Sequence, residues 1–208
     1  MPVLSPDDSL ADLDSRYRGL IFDCDGTLTN SMPLHYRAWH ETMRRHGIEF
    51  PEQQFYAMGG MPTDKIISVL SEQQSVQVDI DAASDEKEHA FEALIDQVQA
   101  LPHVVDLAKK YAAIMPCSVA SGGIRPMIDR QLIAIGIIDL FDAGCIVTSE
   151  DTQRHKPHPD VFLEAACRMK VPADKCLVFE DSDLGITAAA AAEMDCVDVR
   201  TMLQTPPE

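Results

Sequence analysis

The 208-residue chain is 46% hydrophobic with a formal net charge of −17, which supplies one apolar core with room for a modest insertion and excludes a long polyanionic partner such as nucleic acid, whose binding needs a basic face. A small phosphorylated metabolite is compatible with this charge when a metal and a few lysines meet its phosphate locally. Residues 1–15 lack the basic and apolar stretches of a signal peptide or membrane span, and the six cysteines form no close CxxC pair or zinc-type grouping, so a cytoplasmic, reducing setting without membrane contact is expected, and a monomer.

In chain order, residues 1–17 read as an N-terminal extension. From residue 20 on, apolar runs alternate with amphipathic helical patterns, the signature of an α/β fold: a Rossmann-like core with a mostly parallel five-stranded sheet. Strands are expected over 20–24, 117–120, 145–148, 177–179 and 196–199. Residues 25–116 separate the first two, far more than a crossover of about a dozen residues requires, and most of the excess reads as helix. The spacing predicts a small α-helical cap domain over 33–100, inserted into a core of 18–32 and 101–208. Its first helix opens at Pro33, shows Leu34, Trp39 and Met43 on one face and stops at Gly47. Further helices are expected over 64–71 and 85–99, the latter closed by Pro102. The proline-rich tail, 201–208, is expected to fray.

Polar residues follow each apolar run, and in an open parallel sheet the carboxyl ends of the strands share one ligand crevice. The first run ends in Asp23-Cys24-Asp25-Gly26-Thr27. Alone, this could be a cation-binding loop or turn punctuation. An aspartate can also attack phosphorus, with a second acid two residues on protonating the leaving oxygen and then activating water.

The second strand ends in Ser121-Gly122-Gly123 before Pro126, which is either a serine cap with flexible glycines or a hydroxyl and bare amides gathered for phosphate at a helix N-terminus. After the third comes His155-Lys156-Pro157-His158-Pro159-Asp160; its lysine is either solvated surface or a neutralising charge for a transferring phosphoryl group. The fourth ends in Glu180-Asp181-Ser182-Asp183. Ser182 and Asp183 suit a helix cap, whereas Glu180 and Asp181 facing Asp23 would repel it unless a cation such as magnesium sat between them.

These four stretches resemble, in this order, the four motifs of the haloacid dehalogenase superfamily, and the resemblance covers nearly all of the chain after residue 18. It implies that Asp23 is the nucleophile, Asp25 the general acid/base, and Ser121 and Lys156 the phosphate ligands. It also implies that Asp23, the backbone carbonyl of Asp25 and Asp181 hold magnesium, with Glu180 as an additional or indirect ligand, and that the amides of Cys24, Gly26 and Gly122 cradle phosphoryl oxygens. Dehalogenation is disfavoured, because metal-binding acids would be superfluous for halide displacement.

The insertion looks like the small cap of the beta-phosphoglucomutase-like branch, whose closure excludes water. Three cap positions can be compared with that branch, and the third departs from it. His35 corresponds to a site histidine, although a helical histidine beside apolar residues also suits a structural role. Lys87 resembles a substrate-contacting lysine, the alternative being a solvated helix position. Thr63, which could equally cap the helix at Asp64, stands where beta-phosphoglucomutases carry an arginine that grips a second phosphate. The Gly60-Met61-Pro62-Thr63 pattern, with the Leu34-His35-Tyr36-Arg37-Ala38-Trp39 stretch, is most similar to the subgroup that hydrolyses fructose 1-phosphate, 6-phosphogluconate and related sugar phosphates. A magnesium-dependent phosphatase is expected; the alternatives are a sugar phosphomutase and a non-catalytic phosphate- or metal-binding protein.

Overall fold

The structure, a computed structural model, describes residues 3–4 and 13–202, with the backbone alone for 3, 4 and 14; the tail expected to fray lies outside the described residues from 203 on. Six parallel strands run in the order β1-β6-β5-β2-β3-β4: β1 Val3–Leu4, β2 Gly19–Phe22, β3 Cys117–Ala120, β4 Ile146–Val147, β5 Cys176–Glu180 and β6 Asp195–Asp198. The five expected strands are present. β1 was not anticipated; it joins the β6 edge through Val3 beside Cys196 and Leu4 beside Val197.

Side chains of β2 and β5 alternate between two cores, as the period of two requires. Leu20, Phe22, Leu177 and Phe179 enter one core with Leu13, Tyr17, Val104, Ile128 and Leu132. Ile21, Cys176 and Val178 enter the other with Phe162, Ala165, Ala188 and Ala189. The covering helices on the first face are α1 Leu13–Arg16, α6 Pro102–Ala112 and α7 Arg125–Ala134; on the second they are α8 Asp160–Met169 and α9 Asp183–Ala191. A sheet buried on both faces explains why its strands read as continuous apolar runs.

Two strands are shorter than expected. β2 ends at Phe22 because the Cys24 carbonyl accepts the amides of Thr27, Leu28 and Thr29 and closes a turn. β4 is trimmed at both ends: Cys145 belongs to a 3-10 turn, and Thr148 caps the next one in a reciprocal box with Asp151.

The insertion comprises α2 Met32–Arg45, α3 Glu52–Ala57, α4 Thr63–Gln74 and α5 Ile80–Glu92. It has its own apolar cluster, including Trp39, Met43, Phe50, Phe55, Ile67 and Leu70. Gly47, at φ +73, follows α2 as expected. The helix expected over 85–99 instead starts at Ile80, where the Asp79 side chain accepts the Ala82 amide, and ends at Glu92. A 3-10 turn, Ile95–Gln97, then brings the chain back to the sheet, and Pro102 opens α6 rather than closing α5. The short helix α3 was missed because Phe55 is its one buried residue. Insertion and sheet are joined by two adjacent segments, tied by Asn30 N to Gln99 O at 2.8 Å and Leu101 N to Leu28 O at 2.9 Å. No helix among the described residues is long and apolar enough to cross a membrane.

Candidate active site

β2 lies between β5 and β3, so the chain reverses its direction of travel across the sheet at the strand that ends in Asp23. That reversal opens a crevice at the carboxyl ends. A cavity of about 1080 Å³ occupies it, lined by every expected site residue except Cys24. The Cys24 side chain is buried in the core beneath, and burial pushes its thiol pKa well up. Only its backbone can face a ligand.

At the floor, the Lys156 ammonium donates to Asp23 Oδ1 at 2.6 Å and to Glu180 Oε2 at 2.7 Å. All three side chains are buried, so the solvated reading of Lys156 fails. Burial alone would lower the lysine's pKa, but Asp23 and Glu180 raise it. Burial, followed by the charge of Glu180, raises Asp23 well above the usual carboxylate range against the pull of Lys156. Asp181 is pushed up to about 7, again by burial and then Glu180.

Asp23, Glu180 and Asp181 each offer an oxygen, and these lie within 4.8 Å of one another. Three carboxylates against one ammonium leave uncompensated negative charge, and an all-oxygen donor set suits a hard divalent cation. The residues present therefore fit magnesium. Both Glu180 oxygens already have partners: Lys156 on Oε2, and on Oε1 the amides of Asp181 and Ser182 with the Ser182 hydroxyl. Asp23 and Asp181 each keep an oxygen without a partner among the described residues, Asp181 being steadied by the Thr27 hydroxyl at 3.1 Å. Gly26, at φ +87, has no room for a side chain because Asp181 fills that space.

The Asp25 carboxylate stands outside that cluster. Its Oδ1 accepts from Ser31 Oγ at 2.6 Å and Gln131 Nε2 at 2.9 Å and lies 3.0 Å from His35 Nε2. Burial would raise its pKa, but His35, Ser31 and Gln131 together hold it below the usual carboxylate range. His35 stacks on Phe91 at 3.6 Å, and its Nδ1 lies 3.4 Å from Lys87 Nζ. Lysine only donates and carboxylate only accepts, so an imidazole protonated on Nε2 and accepting on Nδ1 satisfies both. Lys87 is 4% exposed, which rules out a solvated position, and it donates to Glu88 Oε1 at 3.0 Å.

Ser121, at the end of β3, is buried, and its Oγ accepts the Gly123 amide at 3.1 Å. A Cβ on Gly122 would meet open space. Pro126 sits in the first turn of α7, as expected. Thr63 is not a helix cap: Pro62 occupies that position, and the Thr63 hydroxyl donates to Glu88 Oε1 at 3.0 Å. Ser182 does cap α9, accepting the Gly185 amide at 3.0 Å. The insertion touches the core at Gly60, where an added Cβ would meet Leu184 and Ser182 at 3.3 Å.

Sequence reasoning missed Gln131, Glu88 and Gly185. Gln131 falls on the buried stripe of α7 with Ile128 and Leu132, and a polar residue on an apolar stripe is a readable signal. Glu88 and Gly185 carried none.

Residues 20–199 match the family described as haloacid dehalogenase-like hydrolase. The chain is 39% identical over 188 residues to fructose-1-phosphate phosphatase YqaB of Escherichia coli, covering 90% of this chain and 98% of that protein. It is 27% identical to the 6-phosphogluconate phosphatase of the same organism, over 87% of this chain and 81% of that one. The fold is shared with beta-phosphoglucomutase from Clostridium difficile, with a TM-score of 0.79 at 23% identity over 91% of this chain and 88% of that structure. With its four strand-end motifs gathered around one cavity, the chain belongs to the haloacid dehalogenase-like hydrolases.

Proposed function

We propose that the protein hydrolyses the phosphate monoester of a small sugar-type metabolite through an aspartyl-phosphate on Asp23. Family membership and the phosphatases among its relatives make it a phosphoric monoester hydrolase; substrate class and reaction path are the proposal. The observation that carries it is Lys156 bridging Asp23 and Glu180 at 2.6 and 2.7 Å, in the same cavity as Asp25 and Ser121.

In the first half-reaction an Asp23 oxygen forms a bond to phosphorus as the ester oxygen leaves with a proton from Asp25. In the second, water attacks the phosphorus, Asp25 takes its proton, and phosphate departs to regenerate Asp23. Lys156, the Ser121 hydroxyl and the amides of Cys24, Gly26 and Gly122 stabilise charge on the phosphoryl oxygens. Asp23, Asp181 and the Asp25 carbonyl, with Glu180 beside them, would hold magnesium, which would supply further charge neutralisation.

Asp25 must gain and lose a proton, which the three partners now on Oδ1 oppose; a change in the His35 and Lys87 contacts on ligand binding would release it. Residues 33–100 act as a lid over the cavity. Hydrolysis is favoured over mutase chemistry because Thr63, in the position of the mutase arginine, is tied to a carboxylate rather than offering a cation.

The test is phosphate release from a panel of sugar monophosphates, with and without magnesium, by the wild type and Asp23→Asn. Metal-dependent release that disappears in the variant is expected. Isomerisation without net release, or unchanged release by Asp23→Asn, would overturn the proposal.

A further inference from the structure

The cavity runs from Asp23 at the sheet to Thr63 and Glu88 in the insertion, and its two ends differ in charge. At the sheet end Lys156 is set to meet one phosphate. The insertion contributes two basic side chains to the wall, His35 and Lys87, and both are engaged: His35 with Asp25, and Lys87 with Glu88 Oε1; Arg200, which also lines the cavity, is paired with Asp183 and Asp198. Glu88 is held from two helices, since the Thr63 hydroxyl of α4 donates to the same Oε1. Its Oε2 has no partner among the described residues. Asp64, Asp81 and Asp85 line the same end, so a second anion entering there would meet negative charge and no unpaired cation.

We propose that Glu88 is a specificity-determining residue whose free Oε2 accepts a hydrogen bond from a hydroxyl at the non-phosphorylated end of the substrate. The enzyme then favours monophosphates with an uncharged polyhydroxy end and discriminates against those carrying a carboxylate or second phosphate there. A carboxylate fixed by two donors is well suited to this, because it accepts from a hydroxyl without reorganising, whereas a like charge brought against it is disfavoured. The inference rests on the phosphatase reading and narrows it: between the two named relatives, it places this chain with the one acting on an ester whose far end is uncharged.

The experiment compares kcat/KM for fructose 1-phosphate, 6-phosphogluconate and fructose 1,6-bisphosphate in the wild type and Glu88→Gln, at low and high ionic strength. The wild type is expected to favour fructose 1-phosphate by at least about tenfold, and Glu88→Gln to narrow that preference by about the same factor. Added salt should narrow it in the wild type and narrow it less in the variant, where Asp64, Asp81 and Asp85 remain. A merely structural role would lower all three values together and leave their ratios unchanged, which would overturn the proposal, as would a wild type that handles the anionic esters as well as the neutral one. No phosphate release from any of the three would remove the phosphatase reading, and this inference with it.

Discussion

Gly185 lies against the Glu180 carboxyl so closely that a Cβ there would occupy the space of Glu180 Cδ and Oε2. The first turn of α9 is thereby reserved for the side chain that holds Lys156. Gly to Ala inside a helix ordinarily stabilises by about 0.5–1 kcal/mol. Gly185→Ala is expected to do the opposite, by displacing Glu180 from Lys156 and lowering metal affinity or activity about 10- to 100-fold. Chemical denaturation and a magnesium titration of activity check this; a stabilised, fully active variant would show that Glu180 has another place to go.

Lys156→Ala would leave Asp23 and Glu180 as neighbouring buried carboxylates without their shared ammonium. Removing one partner of a buried pair destabilises by about 3–5 kcal/mol, and activity should fall by about a hundredfold or more. Added magnesium should recover part of the stability but not the activity. Urea unfolding with and without the metal separates the two effects.

Asp25 has a folded pKa below the ordinary carboxylate value. Its hydrogen bonds therefore contribute stability that is present above the unfolded pKa of about 3.9 and lost as pH falls through the folded value. Gln131→Met removes one of the donors and raises the folded value. The variant should be less stable than wild type at pH 7, with the difference holding down through the ordinary carboxylate range and shrinking only as pH falls through the variant's own, still lowered, folded value. Urea midpoints from pH 7 to the acid limit check the sign; a gap that stays constant throughout would show that Gln131 acts through packing and the hydrogen bond its Oε1 accepts from Thr29 at 2.8 Å rather than through Asp25.

Gly60 has φ +83 and stands where an added Cβ would meet Leu184 and Ser182 at 3.3 Å. Gly60→Ala should cost about 1–2 kcal/mol of backbone strain and push the insertion away from the core. The expected result is a fall in kcat/KM larger than the loss of thermal stability explains, measured by steady-state kinetics beside a melting curve.

The sequence alone located five of the six strands and the chemical groups that follow them. Those features are local: an apolar run closed by Asp-Cys-Asp-Gly, Ser-Gly-Gly, Lys-Pro or Glu-Asp announces a buried strand and what it delivers to the rim. Period and turn chemistry also pointed to helix between β2 and β3, with Pro33 in the first turn of the first such helix and Gly47 just past its end. Strand ends were less legible, because hydrogen bonds from later residues decide them, as the Cys24 carbonyl does for β2.

Tertiary structure decided who meets whom. Lys156 reaches Asp23 across 133 positions, and Gln131 reaches Asp25 across 106, because the segments that follow β4 and β3 both return over the carboxyl end of β2. No periodicity encodes that neighbour relation. The same holds for Lys87, whose acidic helix looks solvated in sequence but turns this one lysine onto His35, Trp39 and Glu88. Local pattern sets which face of an element is buried; the identity of the buried partner follows only from how the elements pack.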